Sequence, residues 1–251
     1  MESSKGINNL IRSEGRNNST IRKTTIESGI QQFAEGSALI ETGKTRVLCT
    51  ATIENGVPRF LKNSGQGWLT AEYSMLPRST TTRTPRESSL GKIQGRTSEI
   101  QRLIGRSLRQ IIDLTIIGEK TIIIDCDVLQ ADGGTRTASI TGAYVALYEA
   151  IVKQIRAKAL IQNPLKQAIA ATSVGIINHE IIVDLNYQED SNADVDFNIV
   201  MTDDLQFVEL QGTAEKATFS KSELDIMLDK SSEAINQLFS IQKEAINKIK
   251  N

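Results

Sequence analysis

Two arginines, each placed beside a helix start, carry the chemistry that this sequence supports best. Arg96 stands in Gly95-Arg96-Thr97-Ser98-Glu99, just ahead of a run with helical spacing, and Arg136 follows the glycine turn Gly133-Gly134-Thr135 that closes an apolar strand. Free N–H groups and the positive end of the helix dipole favour an anion at such places. Glycines let backbone N–H groups face a bound oxyanion with no side chain in the way. A Walker-type loop needs Lys before Ser or Thr, whereas here Arg136 follows Thr135. An inorganic phosphate or a phosphodiester therefore fits better than the phosphates of ATP.

Other charged groups carry two readings each. Arg78, Arg83 and Arg86 lie in a loop with two prolines and many hydroxyls. They can grip an RNA backbone, because arginine forks and Ser or Thr hydroxyls both donate to phosphate oxygens, or they can simply be solvated. Arg102, Arg106 and Arg109 form a stripe on one helix face, suited to RNA, a subunit or water. Asp125 and Asp127 share one strand face and can bind metal, orient arginines or meet water. Acidic residues crowd between Tyr187 and Asp196, where oxygen ligands can hold a hard cation such as Mg²⁺; an acidic loop is otherwise a solvated one.

A net charge of −1 excludes a protein that coats nucleic acid by bulk charge. The single histidine, His179, reads as a hairpin-tip residue, so a histidine base and a multi-histidine metal centre are ruled out. Cys49 and Cys126 sit in apolar strand-like runs and read as buried free thiols. With 39% hydrophobic residues, no apolar run long enough for a bilayer and no secretory signal, the chain is expected to be a cytoplasmic globule that avoids membranes.

The elements that must position these groups follow from periodicity. Ser37 to Ile53 alternates around Thr42-Gly43-Lys44 and predicts a β-hairpin; strands follow at Trp68–Met75 and Lys120–Leu129. A helix is expected from Ser98, capped by Ser98 with Gln101, and another after Thr137 with Ile140, Tyr144 and Leu147 on its apolar side. Strands are expected at 169–177, 181–185, 197–202 and 206–210, with tips at Asn178-His179 and Asp203-Asp204. The end is a covering helix layer, with a capping box at Ser220 and Glu223 and a break at Lys230-Ser231-Ser232. Residues 1–18 read as a flexible lead-in whose Arg16, like Arg22 beyond it, can reach a partner; 19–251 reads as one domain with halves at about 19–160 and 161–251.

Long runs give these readings a common frame. Gly65-Gln66-Gly67-Trp68-Leu69-Thr70-Ala71-Glu72-Tyr73, Met75-Leu76-Pro77-Arg78-Ser79-Thr80, Glu99-Ile100-Gln101-Arg102-Leu103-Ile104, Asp125 to Gly142 and Glu209-Leu210-Gln211-Gly212-Thr213-Ala214-Glu215 resemble the ribonuclease PH family of bacterial phosphorolytic 3′-exoribonucleases. The opening Arg12-Ser13-Glu14-Gly15-Arg16 departs from that family's usual Arg-x-Asp-Gly-Arg run. The resemblance implies an α+β fold of the ribosomal protein S5 domain 2-like type, with mixed sheets and packed helices. It implies a homohexamer built as a trimer of dimers. It also implies trimming of tRNA precursor 3′ ends, and of rRNA, with inorganic phosphate consumed and nucleoside diphosphates released; the reverse reaction extends RNA. Phosphate-binding residues fall on Arg96, Gly134, Thr135 and Arg136, the acidic pair that would hold Mg²⁺ on Asp190 and Asp196, and the RNA-gripping arginines on Arg78, Arg83 and Arg86. A ring subunit that holds RNA without cutting it is the competing reading, and the intact arginines and acidic pair favour the enzyme. A small-molecule kinase would need an ATP loop that the sequence lacks.

Overall fold

The computed structural model of the chain describes Arg12 and residues 15–250; the rest of the expected lead-in lies outside the described residues. The first half builds β1 (Thr24–Ser28), β2 (Gly36–Thr42), β3 (Thr45–Asn55), β4 (Trp68–Met75), α1 (Glu87–Leu90), α2 (Gly95–Gln110), α3 (Leu114–Ile117), β5 (Lys120–Gln130) and α4 (Thr135–Arg156). The second half builds β6 (Ile169–Ile177), β7 (Glu180–Val183), α5 (Tyr187–Asn192), β8 (Val195–Thr202), β9 (Phe207–Ala214) and α6 (Lys221–Lys250). The strands form a five-stranded sheet in the order β1-β2-β3-β5-β4 and a four-stranded sheet in the order β7-β6-β8-β9. All neighbours are antiparallel except β4 and β5, whose parallel pairing is made possible by the crossover through α2.

Helix α4 sits between the two sheets, against β2 and β3 on one side and β6 on the other. That place explains its sequence: it is apolar or small nearly all round, and its residues from Thr137 to Leu147 are buried. Gly142 lets the helix lie close on the first sheet, since a Cβ there would stand 2.7 Å from Ile40 Cγ2. Strand β6 is buried at every position because α4 and α6 both pack on it. Gln242 of α6 ties the layers, donating its amide N–H groups to the carbonyls of Thr141 and Ile169 at 2.9 Å each.

Two expectations change, and one strand was not expected. The C-terminal helix runs unbroken through Lys230-Ser231-Ser232: the Ser232 hydroxyl donates to the Leu228 carbonyl at 2.8 Å inside the helix, and Ser231 is small enough to be fully buried in the packed face. Its Ser220–Glu223 capping box forms as expected. Helix α2 begins at Gly95, three residues before the expected Ser98, and its N-cap is Gln94 without a side-chain bond. Thr97 anchors that first turn instead, donating to Glu87 of α1. Strand β1 escapes the pattern, because it is a short edge with Ile26 as its one buried apolar residue and is defined by pairing with β2. Asn178 and His179 both adopt left-handed φ, 50° and 66°, as a two-residue hairpin turn requires.

Candidate active site

Strand β5 delivers the chain to the glycine turn. Past Gln130, Asp132 N–H donates to Thr45 Oγ1 at 2.9 Å, and Gly133 and Gly134 take φ of +75° and +65° before α4 starts at Thr135. Gly133 is irreplaceable on two counts: the left-handed φ, and a Cβ that would stand 2.5 Å from the Leu185 carbonyl. The turn is thus pressed backbone to backbone against the start of α5. The Tyr73 and Thr135 hydroxyls meet at 2.8 Å, which fixes the threonine at the mouth of the helix; burial pushes the Tyr73 phenol up.

Arg136 is aimed by two residues that periodicity does not reveal. Its Nη1 donates to Gln211 Oε1 at 2.6 Å and to Glu99 Oε1 at 3.2 Å, while Gln211 Nε2 donates to the same Glu99 oxygen at 2.7 Å. One residue comes from α2 and the other from β9, so only the folded chain joins them. Arg96 is exposed in the first turn of α2.

Asp190 lies on α5 and Asp196 is the second residue of β8. The stretch expected to be an acidic loop is therefore a helix at 187–192. Its cause is a capping box: Asn186 accepts from Glu189 N–H at 2.9 Å and Glu189 Oε2 accepts from Asn186 N–H at 2.9 Å. Buried Arg12 then clamps Glu189 from Nε at 2.8 Å and Nη2 at 2.9 Å. Burial raises the Asp190 carboxyl. For Asp196, burial and then the neighbouring Asp190 carboxylate push the carboxyl up to about 6, against the pull of Arg136. Its Oδ1 is buried with no hydrogen-bond partner.

These residues meet. Two adjoining cavities of about 500 Å³ each share Arg96, Arg136, Asp190, Asp196 and Asn198. Glu99, Gln211, Glu215 and Lys216 complete one; Gly134, Thr135, Met75, Tyr187 and the threonines Thr80, Thr81, Thr82 and Thr84 complete the other. Arg96, Gly134, Thr135, Arg136, Asp190 and Asp196, the residues to which the resemblance assigns phosphate and cation, all line this cleft.

The remaining candidates lie elsewhere. Arg78, Arg83 and Arg86 are exposed and line neither cavity; their loop offers its threonines to the cleft instead. Arg106 pairs with Glu209, and Arg109 stacks 4.6 Å above the Trp68 ring while donating to the Leu69 carbonyl, so most of the helix stripe is engaged within the chain. Asp125 and Asp127 stand beside Glu72 on the sheet, where burial first and that carboxylate next raise both. Arg16 and Arg22 reach inward rather than toward a partner. Arg22 bonds both oxygens of buried Asp184 and the Asp132 carbonyl, because its charge finds a carboxylate there that no water could replace. Among the described residues no group of three or more His, Cys, Asp or Glu is placed to hold a metal, which leaves the acidic pair as a two-carboxylate arrangement.

The fold and cleft define a class, and sequence comparison gives the same one. Domain 1 of the 3′ exoribonuclease family matches residues 20–153 and domain 2 matches 167–234. The chain belongs to the 3′ exoribonuclease family. It is 55% identical over 240 residues to ribonuclease PH of Moorella thermoacetica, covering 96% of both chains. With ribonuclease PH of Dehalococcoides mccartyi it shares 58% identity over 231 residues, covering 92% of this chain and 97% of the relative. Its α+β architecture is the ribonuclease PH fold. Similar solved structures are an Archaeoglobus fulgidus exosome with RNA bound to the active site, at TM-score 0.79 and 23% identity over 91% of each chain, and an archaeal exosome core, at TM-score 0.71 and 22% identity over 96% of this chain and 91% of that one. No helix among the described residues is long and apolar enough to cross a membrane.

Proposed function

We infer that the cleft removes nucleotides from the 3′ ends of tRNA precursors, and of other RNA with a single-stranded 3′ end, by phosphorolysis. Inorganic phosphate attacks the phosphorus of the terminal linkage, the ribose 3′ oxygen of the shortened RNA leaves, and a nucleoside 5′-diphosphate is released. The observation that carries this reading is the convergence of Arg96, Arg136, Thr135 and the α4 N-terminus with Asp190 and Asp196 on one cleft.

Orthophosphate is already a nucleophilic oxyanion near neutral pH, so no dedicated base is needed. The obstacle is bringing one anion against another, and fixed positive charge with correct orientation removes it. Arg96 and Arg136 hold the attacking phosphate, Thr135 and backbone N–H groups complete its shell, and Glu99 with Gln211 keep Arg136 aimed.

Asp190 and Asp196 suit a hard cation: both are oxygen donors, and the unpartnered buried Oδ1 of Asp196 is an acceptor in want of a positive charge. Mg²⁺ bound there would neutralise charge on the scissile phosphate and the leaving oxygen. Asp196 has a second use, favoured by its carboxyl being held at about 6: it can carry the proton that the leaving 3′ oxygen takes up. We propose a cytoplasmic homohexamer arranged as three dimers, the assembly that the resemblance to the ribonuclease PH family implies.

The test is tRNA carrying extra 3′ nucleotides, incubated with and without phosphate. Diphosphate products that require phosphate support the reading; monophosphates formed without it mark a hydrolase and overturn it. Arg96→Ala should keep RNA binding and lose about a hundredfold or more in turnover, the scale of one oxyanion donor; Asp196→Ala should likewise keep RNA binding and lose turnover. Both trimming at wild-type speed would remove the site assignment.

A further inference from the structure

We propose that Tyr187 forms the floor of a nucleobase subsite, stacking on the base at the RNA 3′ end while the phosphates lie between Arg96 and Arg136. This rests on the phosphorolysis reading and deepens it. The two halves of the cleft differ in chemistry. One is lined by Glu99, Arg136, Glu215 and Lys216 and, apart from Ala193, presents charged and polar side chains with no aromatic ring. The other presents Met75, Ala131 and Tyr187 beside the glycine turn and Thr135. A nucleotide whose phosphates meet the arginines has its base one ribose away, and the apolar half is the place for it.

Tyr187 is 61% exposed although it opens α5 in the wall of a cleft. An aromatic ring left largely in water on a solvated outer face would be unremarkable; here it lies beside the anion turn. Its backbone is also held against that turn: a Cβ on Gly133 would stand 2.8 Å from Tyr187 N, and that N–H faces Asp132 Oδ1 at 3.4 Å. The ring is therefore carried on a fixed backbone next to the phosphate site. Stacking on an aromatic face uses the π surface that every base has and tolerates any sequence, which an enzyme that shortens RNA one residue after another requires.

The probe is single-stranded RNA with 2-aminopurine as its 3′ base, bound without phosphate so that it is not consumed. Stacking quenches the probe on the wild-type protein. Tyr187→Ala should lose most of the quench and weaken RNA binding about fivefold or more, the effect of losing one base–aromatic stack, with the KM for inorganic phosphate unchanged. Tyr187→Phe should restore both quench and affinity, since the ring and not the hydroxyl carries the contact. A wild-type complex without quenching, an alanine variant that quenches fully, or a phenylalanine variant that fails like alanine each overturns the proposal. Intact quenching on a protein that makes no phosphate-dependent product strikes the phosphorolysis reading alone and leaves the subsite standing.

Discussion

Replacing Asp196 by Asn should make the protein more stable while removing its activity. Asp196 is held at about 6 rather than the ordinary 3.8, by burial first and the Asp190 carboxylate second. The difference corresponds to about 3 kcal/mol at about 1.4 kcal/mol per unit, a ceiling because part of the site meets water. Since the folded value is the higher one, the carboxyl burdens the fold only once it ionises. The wild type is unpenalised below the unfolded value, loses stability as pH rises through the folded one, and carries the full cost near neutrality. Asn keeps the shape without the charge. For a chain of this size about 3 kcal/mol equals roughly 6–12 °C in Tm, as an upper limit. Thermal melts of both proteins without divalent ions, from pH 4 to 7.5, should show Tm values that coincide in acid and diverge up to about pH 6. Added Mg²⁺ should raise the wild-type Tm and leave the variant's alone. Equal Tm values at neutral pH, or a gap that ignores pH, would refute the reasoning.

Gly133→Ala forces a left-handed φ and a Cβ into the Leu185 carbonyl, so phosphate KM should rise together with a stability loss of more than about 1 kcal/mol, read by steady-state kinetics and urea unfolding. Arg22→Ala leaves Asp184 buried without its main partner and should cost about 3–5 kcal/mol in the same unfolding assay. Thr135→Val removes a hydroxyl from the anion shell and strands the buried Tyr73 hydroxyl. A higher phosphate KM with unchanged RNA affinity is the expected outcome, checked by kinetics and equilibrium binding.

Local rules and residue identities carried much of this molecule. Alternation gave the β2–β3 hairpin and the inward Cys126 between Asp125 and Asp127; the glycine pair before Thr135 gave the left-handed turn that opens α4; and the long matching runs gave the family. Where the sequence fell short, the deciding partner was distant in the chain. Nothing near Arg136 announces Glu99 or Gln211, which act only because α2 and β9 arrive together. Nothing in the polar opening announces that Arg12 is buried against Glu189, since the sequence pattern shows that a residue is charged but not where its counter-charge lies. The same limit hid Asp196's raised carboxyl and the threonines that line the cleft. Backbone conformation is set by neighbours in sequence, whereas burial, charge pairing and the walls of a cleft are properties of the packed whole.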